Sequence, residues 1–181
     1  AENIKKIDKN IKIIFAGPHA SLCSLETLKA FDFIDMIAIG EGEKNIISIL
    51  DYFNNKEKIE NIKGICYKKS DSIIYNEAQK INKDLDELPM LELDMDIYPS
   101  IMPIDSGRGC PHNCTFCCTK TFWKRKVRLK SIDRLIDEIK YYMTKYKIRQ
   151  FVFVHDLFTA SKENVLEFCK KVVDSKIDIA W

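Results

Sequence analysis

The chain has 181 residues, 46% of them hydrophobic and 31% charged, with a formal net charge of +2. Those proportions belong to ordinary globular protein, one large domain or two small ones. The near balance of charge argues against a broad basic face and hence against a nucleic-acid partner. No apolar run is long enough to span a bilayer, the opening AENIKKIDKN is not a signal peptide, and the seven cysteines are an odd number at low density. The expectation is a cytoplasmic protein with free thiols.

Ile11–Phe15 is a short apolar run ending at Ala16-Gly17-Pro18, which predicts a buried strand entering a turn. Ser24–Leu28 predicts a short helix and Met36–Ile39 a second buried strand stopped by Gly40. Glu41-Gly42-Glu43 opens a helix with Ile46, Ile47, Ile49, Leu50 and Phe53 at helical spacing. Strand alternating with helix predicts a parallel α/β sheet over residues 1–58. Residues 54–58 are polar and charged. Ile62–Tyr67 and Ser72–Tyr75 bracket a hairpin turn, and Leu88-Pro89 and Tyr98-Pro99 frame an irregular acidic stretch, so residues 59–100 are expected to be a linker carrying a hairpin.

Alternation resumes over residues 101–181. Met102–Ser106 predicts a strand. Ser131 caps a helix with Ile132, Leu135, Ile136, Ile139 and Met143 on one face. Phe151–Val154 predicts the next strand, Ser161 caps a helix through Val172, and Ile177–Trp181 predicts a third strand. With no helix after that strand and no sheet before the first, the chain is expected to be an internal piece of a larger protein, inactive by itself.

Between the strand at 102–106 and the helix at 132 lies GRGCPHNCTFCC, with four cysteines inside nine positions. Cys110, Cys114 and Cys117 have the spacing C-x3-C-x2-C. Zinc commonly takes four ligands from two separated pairs, and no second pair exists here. Thiolates are the normal ligands of a four-iron cluster, and three of them leave one iron open to a small molecule. Zinc binding remains an alternative, as does a closed, ferredoxin-like cluster with Cys118 as fourth ligand. On the open-cluster reading Cys118 is a packing residue, and Cys23, Cys66 and Cys169 are small buried hydrophobes.

G-C-P-x-x-C-x-F-C at 109–117 resembles the cluster motif of the radical S-adenosylmethionine (SAM) enzymes. The resemblance implies a 4Fe-4S cluster on Cys110, Cys114 and Cys117, SAM chelated at the open iron, and reductive cleavage to a 5′-deoxyadenosyl radical. It implies that Phe116 lies beside the adenine. Asp156, at the end of the next strand, resembles the acidic residue that many members place near the SAM amino group; a turn or capping aspartate is the competing possibility. An external electron donor, such as flavodoxin or ferredoxin, and a small-molecule substrate are implied with it.

Ala16–Ser21 and Asp35–Glu43 resemble the back half of the cobalamin-binding domain that precedes the barrel in one class of this family. By that resemblance Gly17, Gly40, Glu41 and Gly42 line a cobalamin nucleotide. The Asp-x-His-x-x-Gly ligand motif of several cobalamin-binding families is absent. The fold implied is α/β: the back half of a Rossmann-like cobalamin-binding domain, then the first βα units of a radical SAM partial β/α barrel. Methyl transfer, cyclisation and rearrangement are the implied reactions.

Overall fold

The computed structural model describes residues 1–94 and 100–181. The Tyr98-Pro99 pair lies outside the described residues. The chain divides into two units, Ala1–Asn82 and Lys83–Trp181. No helix among the described residues is long and apolar enough to cross a membrane.

The first unit opens with α1 (Glu2–Ile7), which the sequence reading does not anticipate. It is moored by Asp35, whose Oδ2 accepts from Lys5 Nζ at 2.7 Å and from the Ile13 N–H at 2.8 Å. Then come β1 (Ile14–Phe15), α2 (Pro18–Leu22), α3 (Ser24–Ala30), β2 (Met36–Ala38), α4 (Asn45–Phe53), β3 (Ile65–Lys69) and β4 (Ser72–Tyr75). The four strands form one sheet in the order β1-β2-β3-β4. β1 is parallel to β2, as expected. The hairpin assigned to the linker instead completes this sheet, with β3 antiparallel to β2. Only Ser70 and Asp71 separate β3 from β4. So short a connection permits only antiparallel pairing, and the sheet is mixed rather than parallel.

Successive strand residues point to opposite faces. Met36 and Ala38 of β2 pack with Ile65, Tyr67 and Ile49 of α4, whereas Ile37 packs with Cys66, Ala20 of α2 and Leu28 of α3. The sheet is thus covered on both faces, and all three residues of β2 are buried. Burying side chains the size of Met36 and Ile37 stabilises by about 2 kcal/mol each. Three expectations need correction. The first strand is shorter than Ile11–Phe15 and half-buried, because Ile11 and Lys12 lie before the pairing with Asp35 begins. Ile46, Ile47 and Leu50 of α4 are exposed, since the helix's apolar arc is wider than the sheet face it covers and only Ile49 is fully buried. Cys66 is buried, but Cys23 is only half-buried.

The second unit contains β5 (Ile101–Ile104), β6 (Gly107–Arg108), α5 (Thr119–Phe122), β7 (Arg128–Leu129), α6 (Ile132–Tyr146), β8 (Gln150–Phe153) and α7 (Lys162–Asp174). β5 and β8 pair in parallel, with Met102 opposite Phe151. α6 forms where its pattern predicts. Ser131 Oγ accepts from the Arg134 N–H at 3.1 Å, and Asp133 and Lys145 suit the two ends of the helix dipole. Its buried stripe meets Met102, Ile104, Phe151 and Phe168 in one core. The other face of the strand pair is open: Ile101, Val152 and Val154 are exposed. Cys169 is half-buried. The third strand expected at Ile177–Trp181 is reduced to a single parallel bridge, Ala180 opposite Gln150. Ile177 and Ile179 pack instead on the helix-lined core, and Trp181 sits against Phe153, Phe158 and Phe168.

Candidate functional site

The cysteine segment leaves the sheet after β5 and returns before α6. Its neck is a two-residue antiparallel ladder, Gly107 opposite Leu129 and Arg108 opposite Arg128. Asp105 stiffens the entry by accepting from the Gly107 N–H at 3.1 Å and from Arg108 Nε at 3.0 Å. Just inside the neck, Gly109 has φ +88°. A Cβ there would lie 2.1 Å from the Lys126 carbonyl oxygen, so only glycine lets the two arms approach this closely. The return arm turns through Lys124 and Arg125, both left-handed, and Arg125 Nε donates to the Pro111 carbonyl at 3.0 Å.

The end of β8 supplies two further anchors. His155 Nε2 lies 3.1 Å from the Gly109 carbonyl oxygen. A carbonyl only accepts, so Nε2 carries the proton. Burial pushes the His155 pKa down, which keeps the ring neutral. Asp156 Oδ2 accepts from the Gly109 N–H at 2.8 Å, and its Oδ1 accepts from the Thr119 hydroxyl at 3.0 Å. His155 Nδ1 and Ser106 Oγ are buried with no protein partner, and both residues line one small cavity.

Within the loop, Cys110 and Cys117 are half-buried and Cys114 is exposed; all three thiols are free. Cys118, expected to pack, is exposed, because the backbone turns into α5 there and aims it away from the core. Phe116 is 90% exposed, so its ring is free to meet a ligand. The Cys117 thiol is pushed toward the thiolate, first by hydrogen bonding to the Thr119 hydroxyl and then by the Thr119 N–H, with burial and then Asp156 opposing. That hydroxyl has one proton and Asp156 is the stronger acceptor, so the amide is the donor that persists. Among the described residues, no three His, Cys, Asp or Glu side chains are gathered as ligands around one metal-ion position. The three thiols are spread along an anchored loop.

In the first unit, β1 and β2 are parallel neighbours, so Gly17 and Gly40–Gly42 follow the same, carboxyl end of the strands. Ser21 Oγ, from the helix that Gly17 begins, accepts from the Gly40 N–H at 3.0 Å and ties the two loops together. Gly17 and Gly40 have positive φ and open space where a Cβ would stand. Glu41 is used internally: its Oε2 accepts from the Asn82 N–H at 2.6 Å. His19 is exposed.

Sequence reasoning misses Asp105, Thr119 and Arg125 as parts of the loop's scaffold. Asp two residues before Gly is a turn signal that could have identified the first. The partners of the other two are distant in sequence and carry no local signal.

No family model matches the chain. It is 26% identical to an uncharacterized methyltransferase of Pyrococcus horikoshii, covering 100% of this chain and 41% of the relative. It is 25% identical to the anaerobic magnesium-protoporphyrin IX monomethyl ester cyclase of Rubrivivax gelatinosus, covering 98% of this chain and 34% of the relative. The chain therefore spans less than half the length of either. Among solved structures it matches the radical SAM methyltransferase TsrM from Kitasatospora setae, with cobalamin and a [4Fe-4S] cluster bound. The TM-score is 0.79 at 13% identity, over 97% of this chain and 36% of that one. The α/β fold expected from the sequence is the fold of that structure. In sequence the chain is thus similar to a methyltransferase and a cyclase, and in fold it is similar to a radical SAM methyltransferase that binds cobalamin and a [4Fe-4S] cluster.

Proposed function

We propose that the chain carries the cluster loop of a radical SAM enzyme, with Cys110, Cys114 and Cys117 holding a 4Fe-4S cluster. The observation that carries this is a loop of three free thiols, anchored at both ends, at the carboxyl end of the first strand of a strand–helix–strand unit. The donor set fits: three sulfur ligands suit a cluster with one open iron better than a zinc ion that wants four. When bound, the cluster supplies the electron for reductive cleavage of SAM. Phe116 offers its exposed ring to the adenine. Asp156 offers the lone pairs left on its carboxylate to the SAM ammonium. The joined loops approach the cobalamin nucleotide closely at Gly17 and Gly40, where open space stands in place of a Cβ. Glu41 acts there through its tie to Asn82. The reaction is methyl transfer or ring formation on a small molecule, as the names of the relatives suggest. The electron comes from a flavodoxin- or ferredoxin-type donor in the reducing cytoplasm.

The test is anaerobic reconstitution of the chain with iron and sulfide, followed by EPR after reduction, with and without SAM. The expected result is about four iron per chain and a reduced-cluster signal that SAM shifts. Cys110→Ala, Cys114→Ala and Cys117→Ala lose the signal, whereas Cys118→Ala keeps it. Loss in Cys118→Ala would instead support a closed electron-transfer cluster. Uptake of one zinc and no iron would overturn both readings.

A further inference from the structure

Asp156 does something that its resemblance to a SAM-side carboxylate does not require. Its two oxygens are divided between the two ends of the cysteine segment. Oδ2 takes the amide of Gly109, immediately before Cys110, and Oδ1 takes the hydroxyl of Thr119, immediately after Cys118. The neighbouring side chain, His155, holds the carbonyl of the same Gly109 residue. Both polar groups of one glycine are therefore fixed by consecutive residues of another strand end, 46 and 47 positions away. A carboxylate presents several acceptor directions, and bonds to a charged acceptor are stronger than neutral ones, so one side chain can bridge two donors.

We propose that Asp156 is a positioning residue, a clasp that joins the two ends of the cysteine loop and holds its conformation before any cluster is present. Thr119 is its second arm. The neck ladder of β6 and β7 sets where the loop leaves the sheet, and the clasp sets the span that the three cysteines must bridge. The consequence for cluster retention rests on the radical SAM reading. The conformational claim does not, because it concerns the metal-free chain.

The experiment has two arms. In the first, amide hydrogen exchange is followed by NMR in the metal-free 181-residue chain. Asp156→Asn keeps one acceptor oxygen but places an NH2 against one of the two donors. Thr119→Val removes the hydroxyl and leaves the carboxylate untouched. The expected result is exchange about fivefold faster at Gly109 in both variants. α6 amides should be unchanged, the double variant no faster than Asp156→Asn alone, and Thr119→Ser close to the unsubstituted chain. Unchanged exchange at Gly109 in Asp156→Asn overturns the clasp. So does failure of Thr119→Ser to rescue, which would assign the effect to the threonine methyl. In the second arm the chain is reconstituted and iron release to a chelator is timed. Thr119→Val should release iron several-fold faster, and Thr119→Ser should not. An effect of SAM on the EPR signal that is lost in Asp156→Asn, with iron release unchanged in both variants, would mean that Asp156 serves SAM alone. If no cluster forms in the unsubstituted chain the proposed function fails, while the exchange arm still decides the clasp.

Discussion

Gly109 is the residue on which the loop's geometry turns. Its left-handed backbone and the 2.1 Å separation between a would-be Cβ and the Lys126 carbonyl leave no room for a side chain, and backbone atoms cannot swing aside as a flexible side chain can. Gly109→Ala should lower stability by about 2 kcal/mol, read as a shift in the urea midpoint. An unchanged midpoint would mean that the neck opens without cost. A second residue-scale feature is the buried pair behind the neck. Lys130 Nζ donates to both oxygens of Glu138, at 2.8 and 3.0 Å, and Arg134 Nε donates to one of them at 3.0 Å. The Lys130 and Glu138 side chains are 7% and 5% exposed. Removing Lys130 leaves a buried carboxylate with one cation instead of two. Lys130→Ala should cost about 3 kcal/mol, whereas Lys130→Arg should recover most of it if charge and reach are what matter. Denaturant titration of the two variants separates those cases.

At the scale of elements, α6 organises the second unit. Its cap, its apolar stripe and its charged ends are all local, so they are legible in the sequence, and Ser131→Ala should cost about 1 kcal/mol in thermal or chemical unfolding. The hydrogen bonds made by the tyrosines and the lysine near the carboxyl end of the same helix are not legible in that way. The hydroxyls of Tyr142 and Tyr146 accept from the N–H groups of Leu91 and Leu93, and Lys145, Tyr141 and Tyr146 converge on Glu92. The sequence reading assigns 88–93 only to an irregular linker, because partners some fifty positions apart leave no periodicity. The hydrogen bond from Lys145, with those from the two tyrosines, pulls the Glu92 pKa from 4.5 to about 2. A carboxyl lowered on folding stabilises above its unfolded pKa. The tie is therefore complete above 4.5 and is lost as pH falls toward 2. An NMR titration should place Glu92 in that window, and Lys145→Met should move it back up. The same contrast separates α4 from α6. Both show helical spacing, but spacing cannot say how much of an apolar arc a small sheet will cover, and most of α4's remains in solvent. The cysteine spacing and its place after a strand were readable. The anchors of that loop, on β8 and on the return arm, depend on tertiary approach and were not.

Across the whole molecule, each unit sets its candidate loops at the carboxyl ends of parallel strands, where α/β folds bind ligands. A ligand that binds only the folded form raises apparent stability by about 3 kcal/mol at a hundred times its dissociation constant. Cluster loading should therefore raise the melting temperature of the second unit, and removal of iron by a chelator should return it to the metal-free value. An unchanged melting temperature with iron bound would place the cysteine loop outside the cooperative fold. The means of seeing this is built into the chain. Both of its tryptophans, Trp123 and Trp181, fall in the second unit. Trp181 lies among Phe153, Phe158 and Phe168 with ring centroids 5.1–5.6 Å apart, whereas Trp123 stands beside the cysteine loop with the Arg128 guanidinium 5.1 Å from its ring centroid. One indole is thus a reporter of the core and the other of the loop. Emission excited in the tryptophan band is blind to the first unit, and an iron–sulfur chromophore in the loop should darken Trp123 first. In Trp123→Phe the remaining light comes from Trp181 alone and reports the melting of the core.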